Sequence, residues 1–215
     1  MPSPVKRQPR TYGGVSGEER AATRRVRLLD AGLQRFGTDG WAAAGVKDIC
    51  REAGLTDRYF YESFDDRLAL FTAVFDRATG DLLVRVAQAV AVVEPEPRTQ
   101  ITAAIETFVR ALAADQRVAR VIFREAGAAG AEADAHMRAT LRQFAALIVE
   151  TARPHLRGDV RENVLRMGSL ALVGAMERVI IDWQDGQLDA SLDEMTAYLI
   201  ELFLAASPTF GLDGD

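Results

Sequence analysis

Apolar residues recur every three or four positions along most of the chain, which is the spacing that predicts amphipathic α-helices. One long helix is predicted between Glu18 and Gly37. Two short helices are predicted next, because Ile49 and Ala53 share one helical face and Phe60 and Phe64 repeat at an interval of four. The first third of the chain therefore predicts three helices.

The same spacing predicts six further helices. The first is capped by Asp65 or Asp66 and reaches about Val92, where Pro95 and Pro97 end it because proline cannot continue a helix. The others are predicted over residues 98–114, 116–126, 131–155, 159–183 and 191–206, with residues 127–130 as a loop of small residues. The pattern predicts an all-α protein of about nine helices.

The two short helices are joined by residues that suit a tight turn. Gly54 follows the first of them, where a left-handed conformation costs a residue with a Cβ roughly 1–2 kcal/mol. Thr56 is an N-cap candidate for the second, because its hydroxyl can accept a backbone N–H. The second helix keeps polar and aromatic side chains off its small core, and such donors suit a DNA groove. These side chains are Asp57, Arg58, Tyr59, Tyr61, Glu62 and Ser63.

The stretch VKDICREAGLTDRYFYESF, with RLLDAGLQRFGTDGW before it and DDRLAL after it, resembles the DNA-binding domain of the TetR family of transcriptional regulators. The resemblance covers about Thr23 to Leu70. It implies an N-terminal three-helix helix-turn-helix domain followed by a C-terminal helical domain for ligand binding and dimerisation. It also implies a repressor that a small-molecule effector, of unknown identity, releases from a palindromic operator in double-stranded DNA.

Seven residues are predicted to contact DNA: Lys47, Thr56, Arg58, Tyr59, Tyr61, Ser63 and Arg67. Arginine can pair with guanine O6 and N7, and each such contact is worth about 1–3 kcal/mol of discrimination. For the two tyrosines, local packing is the alternative. The roles of Lys47 and Arg67 follow from the resemblance, since the family carries basic residues there. Gly45 departs from the family pattern, which usually has Ser or Thr at that position.

Four arginines crowd the first half of the first predicted helix, namely Arg20, Arg24, Arg25 and Arg27. On one interpretation, Arg24 or Arg25 contacts a DNA phosphate. On the other, the arginines form a solvated helix face.

Four segments are predicted along the chain. Residues 1–17 form a disordered basic arm, residues 18–66 the helix-turn-helix domain, residues 67–208 the effector and dimerisation domain, and residues 209–215 a tail. The arm either reaches a minor groove or is a frayed terminus.

Charge is divided unevenly along the 215 residues. Residues 1–60 hold 11 Lys and Arg against 7 Asp and Glu, whereas residues 61–215 hold 15 against 24. A basic end on an acidic chain suits a protein that attracts phosphate at one end only. A mean hydropathy near zero indicates a soluble globular protein. Because no apolar run reaches roughly 18 residues and the N-terminus has no apolar core, we expect a cytoplasmic protein with no membrane partner.

Catalytic and metal-binding patterns are absent from the sequence. Cys50 is the single cysteine, which excludes an intrachain disulfide and a cysteine-cluster metal site. His136 and His155 stand alone, and the sequence has no glycine-rich phosphate loop, HExxH or Ser/His/Asp set. The sequence therefore predicts no enzyme, no metal and no cofactor.

The C-terminal domain is better suited to a ligand cavity, which the resemblance places among its central helices. The predicted ligand contacts are Phe75, Phe108, Phe123, Met137, Phe144 and Met176, with Arg178 either as a polar anchor or, equally, as a solvated or interface residue. The alternative for the Phe and Met residues is ordinary core packing. Glu177, like Arg178, is a charged residue within an apolar run.

A homodimer is predicted through the last two long helices, as the resemblance implies. Small residues between Gly168 and Ala175 permit the close approach of another backbone, and the last helix is apolar beyond one stripe. The alternative is burial within one chain. Two other functions remain open: a helix-turn-helix regulator without small-molecule input, and an all-α enzyme or carrier.

Overall fold

The computed structural model describes residues 16–156 and 160–210. The predicted arm over residues 1–17, apart from its last two residues, and the end of the predicted tail lie outside these ranges. All regular structure within them is helical, which confirms the all-α prediction. The nine helices of the described residues are α1 Gly17–Thr38, α2 Val46–Ala53, α3 Asp57–Tyr61, α4 Arg67–Ala91, α5 Pro97–Ala114, α6 beginning with Gln116–Arg120, α7 Ala131–Ala152, α8 Glu162–Gln184 and α9 Leu192–Ala206.

Contacts divide the chain into two compact units, and the division falls between Val74 and Phe75 inside α4. The boundary predicted from the sequence lay between residues 66 and 67, at the start of that helix. The difference has a physical cause, because the first turns of α4 pack on α1. The Phe71 ring of α4 meets the Phe36 ring of α1 edge to face, with 5.3 Å between centroids.

The N-terminal unit is built around large apolar side chains that are fully buried, namely Leu28, Phe36, Ile49, Phe60, Leu70 and Phe71. Ser16 and Glu19 cap the start of α1 reciprocally, each side chain accepting from the other's backbone N–H. Gly32 permits the close contact of α1 with α4, since a Cβ there would lie 2.9 Å from Val74 Cγ2. These contacts pack the first turns of α4 against α1.

In the C-terminal unit, α7 packs along α8 and α5 packs along α9. Pro97 occupies the first turn of α5, where its missing N–H costs nothing, so this proline starts a helix as well as ending the previous segment. Ser191 and Glu194 form a second capping box at the start of α9. Among the described residues, none of the helices combines the length and the apolar character that a membrane crossing requires.

Helix α6 is longer than the sequence pattern predicts. It continues from Gln116–Arg120 through a π-helical segment, Val121–Glu125, into Ala126–Ala129. The loop predicted over residues 127–130 is therefore wrong except for Gly130, because alanine is the strongest helix former. Across the π-helical segment, Arg120 Nε donates to buried Glu125 Oε1 at 2.7 Å.

Candidate functional site

The turn between α2 and α3 is closed by an arginine from α1. Gly54 takes the left-handed conformation, with φ of 61° and ψ of 40°. Arg27 reaches across and donates from NH2 to the carbonyl oxygen of Ala53 at 2.5 Å. A cation at a helix C-terminus satisfies the last carbonyls and complements the helix dipole. Arg27 therefore fixes the end of α2 and with it the start of α3.

Thr56 occupies the N-cap position of α3, but its hydroxyl makes no capping hydrogen bond. The predicted hydrogen bond is wrong. The Thr56 carbonyl accepts from the N–H of Tyr59 at 3.0 Å, which begins the helix without help from the side chain. The exposed hydroxyl is left available to another group.

The outward face of α3 carries an ion pair. The Arg58 side chain is 83% exposed, and its Nε donates to Glu62 Oε1 at 3.0 Å, one turn along the helix. Tyr61 is also exposed, and its ring meets that of buried Phe60 edge to face at 5.2 Å. Helix α3 therefore presents a cation and a phenol to solvent while Phe60 anchors it.

Two arginines of α1 contact this helix and the segment just after it. The Arg24 guanidinium lies 4.4 Å from the centroid of the Tyr59 ring, and its NH2 lies 3.7 Å from Glu62 Oε2. Arg25 NH1 donates to the Ser63 carbonyl at 2.7 Å, and its guanidinium lies 4.2 Å from the Phe64 ring centroid. Arg24 thus contacts α3 and Arg25 contacts the segment just after it, a role that the sequence interpretation did not consider.

Arg67 is held by the segment between α1 and α2. Its NH1 donates to the carbonyl oxygens of Trp41 and Ala44, each at 3.1 Å, and its guanidinium lies 3.8 Å from the Trp41 ring centroid. Both cation–π and hydrogen-bond geometry therefore fix this side chain. Its contact with a DNA phosphate stays a prediction.

Six of the seven predicted ligand contacts surround one internal space. These are Phe75, Phe108, Phe123, Met137, Phe144 and Met176. The cavity measures only about 20 Å³, room for roughly one water molecule. The six side chains therefore form a filled aromatic and thioether core.

Glu177, rather than Arg178, is the charged residue in the wall of that small cavity. Burial raises the pKa of the Glu177 carboxyl above its ordinary value. The Arg178 side chain is 71% exposed and donates from Nε to Asp182 at 2.9 Å. Arg178 does not line this small cavity, because adjacent helical positions point about 100° apart. Its role as a ligand contact stays a prediction.

A second cavity in the C-terminal unit measures about 530 Å³ and lies among α4, α5, α7, α8 and α9. Its wall is apolar except for Gln100, Thr151, His155 and Ser207. Within it, His155 Nε2 and Gln100 Oε1 are 3.1 Å apart. This volume lies within the range of roughly 300–1,000 Å³ that small-molecule sites occupy. The sequence interpretation missed this cavity.

Two further titratable groups, His136 and Cys50, have neighbours that account for them. His136 Nε2 lies 2.5 Å from Asp76 Oδ1. The search for groups of three or more His, Cys, Asp or Glu side chains able to hold a metal found none in the described residues. Cys50 is 2% exposed, and burial, reinforced by Asp57, raises the pKa of its thiol to about 11.

Comparison with known proteins identifies the N-terminal unit. Residues 28–74 match the family described as bacterial regulatory proteins, tetR family. Residues 28–74 therefore carry a sequence that is characteristic of the TetR family. The chain is also 33% identical, over 100 residues, to the HTH-type transcriptional activator FasR of Mycolicibacterium smegmatis. That match covers 46% of this chain and 45% of FasR, so the chain spans about half the length of this curated relative.

Solved structures of TetR-like regulators resemble the whole fold. The fatty acid degradation regulator FadR of Bacillus halodurans aligns with a TM-score of 0.72 at 17% identity, covering 84% of this chain and 94% of that one. FadR of Bacillus subtilis, solved in complex with stearoyl-CoA, aligns with a TM-score of 0.71 at 16% identity, covering 84% and 97%. At these identities the likeness shows the fold.

Two positions at the start of α2 make no side-chain hydrogen bond or ion pair to another described residue. Gly45 is the N-cap of α2 and supplies no side-chain hydrogen bond, where the family pattern usually has Ser or Thr. Lys47, two residues on, is exposed, and no ion pair joins it to another residue within the described ranges. The charge of Lys47 is therefore available to an external anion.

Proposed function

We propose that this protein is a sequence-specific transcriptional regulator that binds double-stranded DNA through α3 and responds to a small-molecule effector. The observation that carries the proposal is the outward face of α3, where Arg58 is exposed and oriented by Glu62. Arg24 of α1 also pairs with Glu62, and Arg25 of α1 donates to the Ser63 carbonyl just after α3. Recognition of base edges in a major groove requires hydrogen-bond donors at fixed positions on a solvent-exposed helix. The proposal assigns the chain no catalytic activity and places it in the cytoplasm, with the DNA.

The proposed contacts divide by the part of the DNA that they meet. We assign Arg58 to a base edge, and Lys47, Thr56 and Arg67 to the phosphates. Tyr59, Tyr61 and Ser63 lie along the same helix end, where a phenol or hydroxyl can donate to a phosphate. Base contacts specify the sequence and phosphate contacts set the position of the protein.

A homodimer is the second part of the proposal. Exposed apolar side chains lie on the last two long helices, with Met167 of α8 64% exposed and Tyr198 of α9 60% exposed. Ala171 and Gly174 are also exposed on α8, and such small residues let a second backbone approach. A two-fold dimer would set two recognition helices roughly 34–36 Å apart, matching the half-sites of a palindrome.

The effector is assigned to the C-terminal unit. The B. subtilis FadR structure contains stearoyl-CoA, and a cavity of about 530 Å³ is present in the corresponding unit of this chain. We propose that the effector releases a repressor from its operator. Because FasR is named an activator, the opposite sign, with the effector promoting DNA binding or activation, is the competing outcome.

Titration of labelled duplexes tests the DNA-binding proposal. The purified chain is titrated against inverted repeats from its own genomic neighbourhood, and against scrambled duplexes, at several salt concentrations. We expect preference for one repeat and an affinity that falls steeply with salt. Equal affinity for repeat and scrambled duplexes at every salt concentration would refute sequence-specific binding.

Sedimentation or light scattering tests the dimer. Gly174→Arg places a long cation on the exposed face of α8 and should produce a monomer. Gly127→Arg is the matched control, since Gly127 is exposed on α6 and nothing lies within 4 Å of either glycine's added Cβ. A Gly174→Arg protein that remains dimeric would place the dimer interface elsewhere.

A further inference from the structure

The cavity of about 530 Å³ is a partly open cleft, since Ala87, Ala91 and Leu147 in its wall are exposed to solvent. Its long aliphatic side chains include Val86, Val90, Ile101 and Leu147. Among the described lining residues there is no Asp, Glu, Lys or Arg. An ionised group would lose hydration here without gaining an ion-pair partner, so the wall favours an uncharged, aliphatic occupant.

Small side chains explain why the space is open. Ala87 and Ala91 of α4, Ala104 of α5 and Ala152 of α7 all line it. Leucine at these positions would fill much of the volume with no change in polarity. Without a ligand, the apolar side chains of this cleft are in contact with water, which is unfavourable. A ligand with an apolar chain would remove that apolar surface from water.

One polar pair interrupts the aliphatic wall. The Gln100 amide oxygen and His155 Nε2 are 3.1 Å apart, and both side chains are half-buried. When that oxygen accepts from the imidazole, the amide N–H groups of Gln100 remain as donors. Thr151 adds a hydroxyl, whereas the Ser207 hydroxyl already donates to the Phe203 carbonyl at 3.3 Å. The wall therefore offers neutral donors to a carbonyl or carboxyl oxygen.

We infer that this cavity binds a fatty acyl ligand, with its hydrocarbon chain along the aliphatic wall and its carbonyl oxygen accepting from the amide N–H of Gln100, which His155 orients. The inference rests on the proposed function in assigning the effector to the C-terminal unit, and it adds the site, the ligand class and the contacts. A free fatty acid and an acyl thioester share this chemistry. The aromatic cavity around Phe108 and Phe144 is excluded, because about 20 Å³ cannot hold such a chain.

Calorimetric titration of the full chain tests the inference with three probes: hexadecanoic acid, its coenzyme A thioester and free coenzyme A. We expect binding of at least one acylated probe and none of free coenzyme A. Preference for the acid or the thioester identifies the source of the acyl group. Failure of both acylated probes, or equal binding of free coenzyme A, would overturn the inference.

Filling the cavity tests the site. Ala104→Trp should weaken binding of the acylated probe by about tenfold or more, since a few lost methylene contacts already cost that much. Ala114→Trp is the matched control at an exposed position of the same helix and should bind normally. Ala104→Leu, a milder filling, covers the case in which the tryptophan variant does not fold. Wild-type affinity in a folded Ala104 variant would locate the ligand elsewhere.

Removing the polar contact tests the orientation. Gln100→Leu keeps the side-chain volume and should weaken binding by roughly two- to tenfold, the value of one net hydrogen bond. Gln88→Leu at an exposed position of α4 should change nothing. Unchanged affinity in Gln100→Leu would refute the assigned carbonyl contact.

The same proteins separate this inference from the proposed function. Operator titration without any probe measures DNA binding alone. Operator binding that persists when no acylated probe binds would refute only the acyl inference. Acyl binding by a protein that has no operator preference would refute only the proposed function as a transcriptional regulator.

Discussion

Arg58 Nε lies 3.0 Å from Glu62 Oε1, and the other oxygen of the same carboxylate lies 3.7 Å from Arg24 NH2. One acidic side chain thus links the exposed arginine of α3 with an arginine of α1. A carboxylate repels DNA phosphate, yet here it orders two cations that can attract it. Glu62 therefore has a positioning role on the proposed DNA-binding face.

Arg58→Ala should weaken operator binding selectively. Loss of a bidentate guanine contact costs about 1–3 kcal/mol of discrimination, whereas non-specific affinity changes little. Competition gel shifts with operator and scrambled duplexes measure the operator affinity and the non-specific affinity. Arg110→Ala is the matched control, because Arg110 is an exposed arginine of the C-terminal unit that pairs with Glu106 one helical turn away. An unchanged operator preference in Arg58→Ala would contradict the assignment.

Glu62→Gln should lower the ratio of operator to non-specific affinity. Removing the negative charge strengthens attraction to any phosphate, while Arg58 and Arg24 lose the group that orients them. The same competition assay yields the ratio, and Glu106→Gln serves as the control. A ratio equal to that of the wild type would show that Glu62 does not position Arg58.

Arg67→Lys should destabilise the N-terminal unit by about 1–2 kcal/mol, because an ammonium cannot reproduce both the planar stacking on Trp41 and the two carbonyl contacts. Urea unfolding followed by tryptophan fluorescence measures the change.

In DNA titrations, Arg67→Ala should reduce the salt slope by about 1 if the side chain also neutralises a phosphate. An unchanged slope would leave Arg67 with its packing role alone.

Substituting alanine for two glycines should change stability in opposite directions. Gly54→Ala should cost about 1–2 kcal/mol, because the left-handed backbone strains a residue with a Cβ. Gly80→Ala should add about 0.5–1 kcal/mol, since Gly80 lies inside α4 with nothing within 4 Å of an added Cβ. Thermal unfolding of the two variants should shift the midpoint down and up respectively. A stabilised Gly54→Ala protein would exclude the left-handed turn.

Glu177→Gln should stabilise the protein at neutral pH. Burial raises the folded-state pKa of this carboxyl above its ordinary 4.5, so the folded state favours the protonated form. The stabilising contribution is present below the unfolded pKa and is lost as pH rises through the folded value. We therefore expect a higher melting temperature for the variant at pH 7, and a smaller difference at acid pH. Glu52→Gln, at an exposed position of α2, is the control, and equal shifts in both variants would contradict the burial argument.

The helices and the helix-turn-helix could be predicted from the sequence because their signals are local. Apolar spacing fixed which face of each helix is buried, and Gly54 marked the turn. The contacts of Arg24, Arg25 and Arg27 with α3 and its turn could not be predicted, since they join residues 26 to 38 positions apart.

The two cavities also depend on contacts between residues that are far apart in the sequence. The sequence predicted a ligand cavity around large side chains such as Phe108 and Phe144, but these side chains themselves fill that region. The open volume lies where small residues such as Ala104 and Ala152 face one another, and a sequence does not state which alanines will be neighbours.

Cys50 has a practical consequence for experiments on this regulator. Its thiol is enclosed beside the turn and stays protonated at neutral pH, so a maleimide dye would leave it untouched. A cysteine introduced at an exposed site such as Gly127 would then take all of the label. Spin-label distance measurements between the two subunits of the proposed dimer therefore do not require the prior replacement of Cys50.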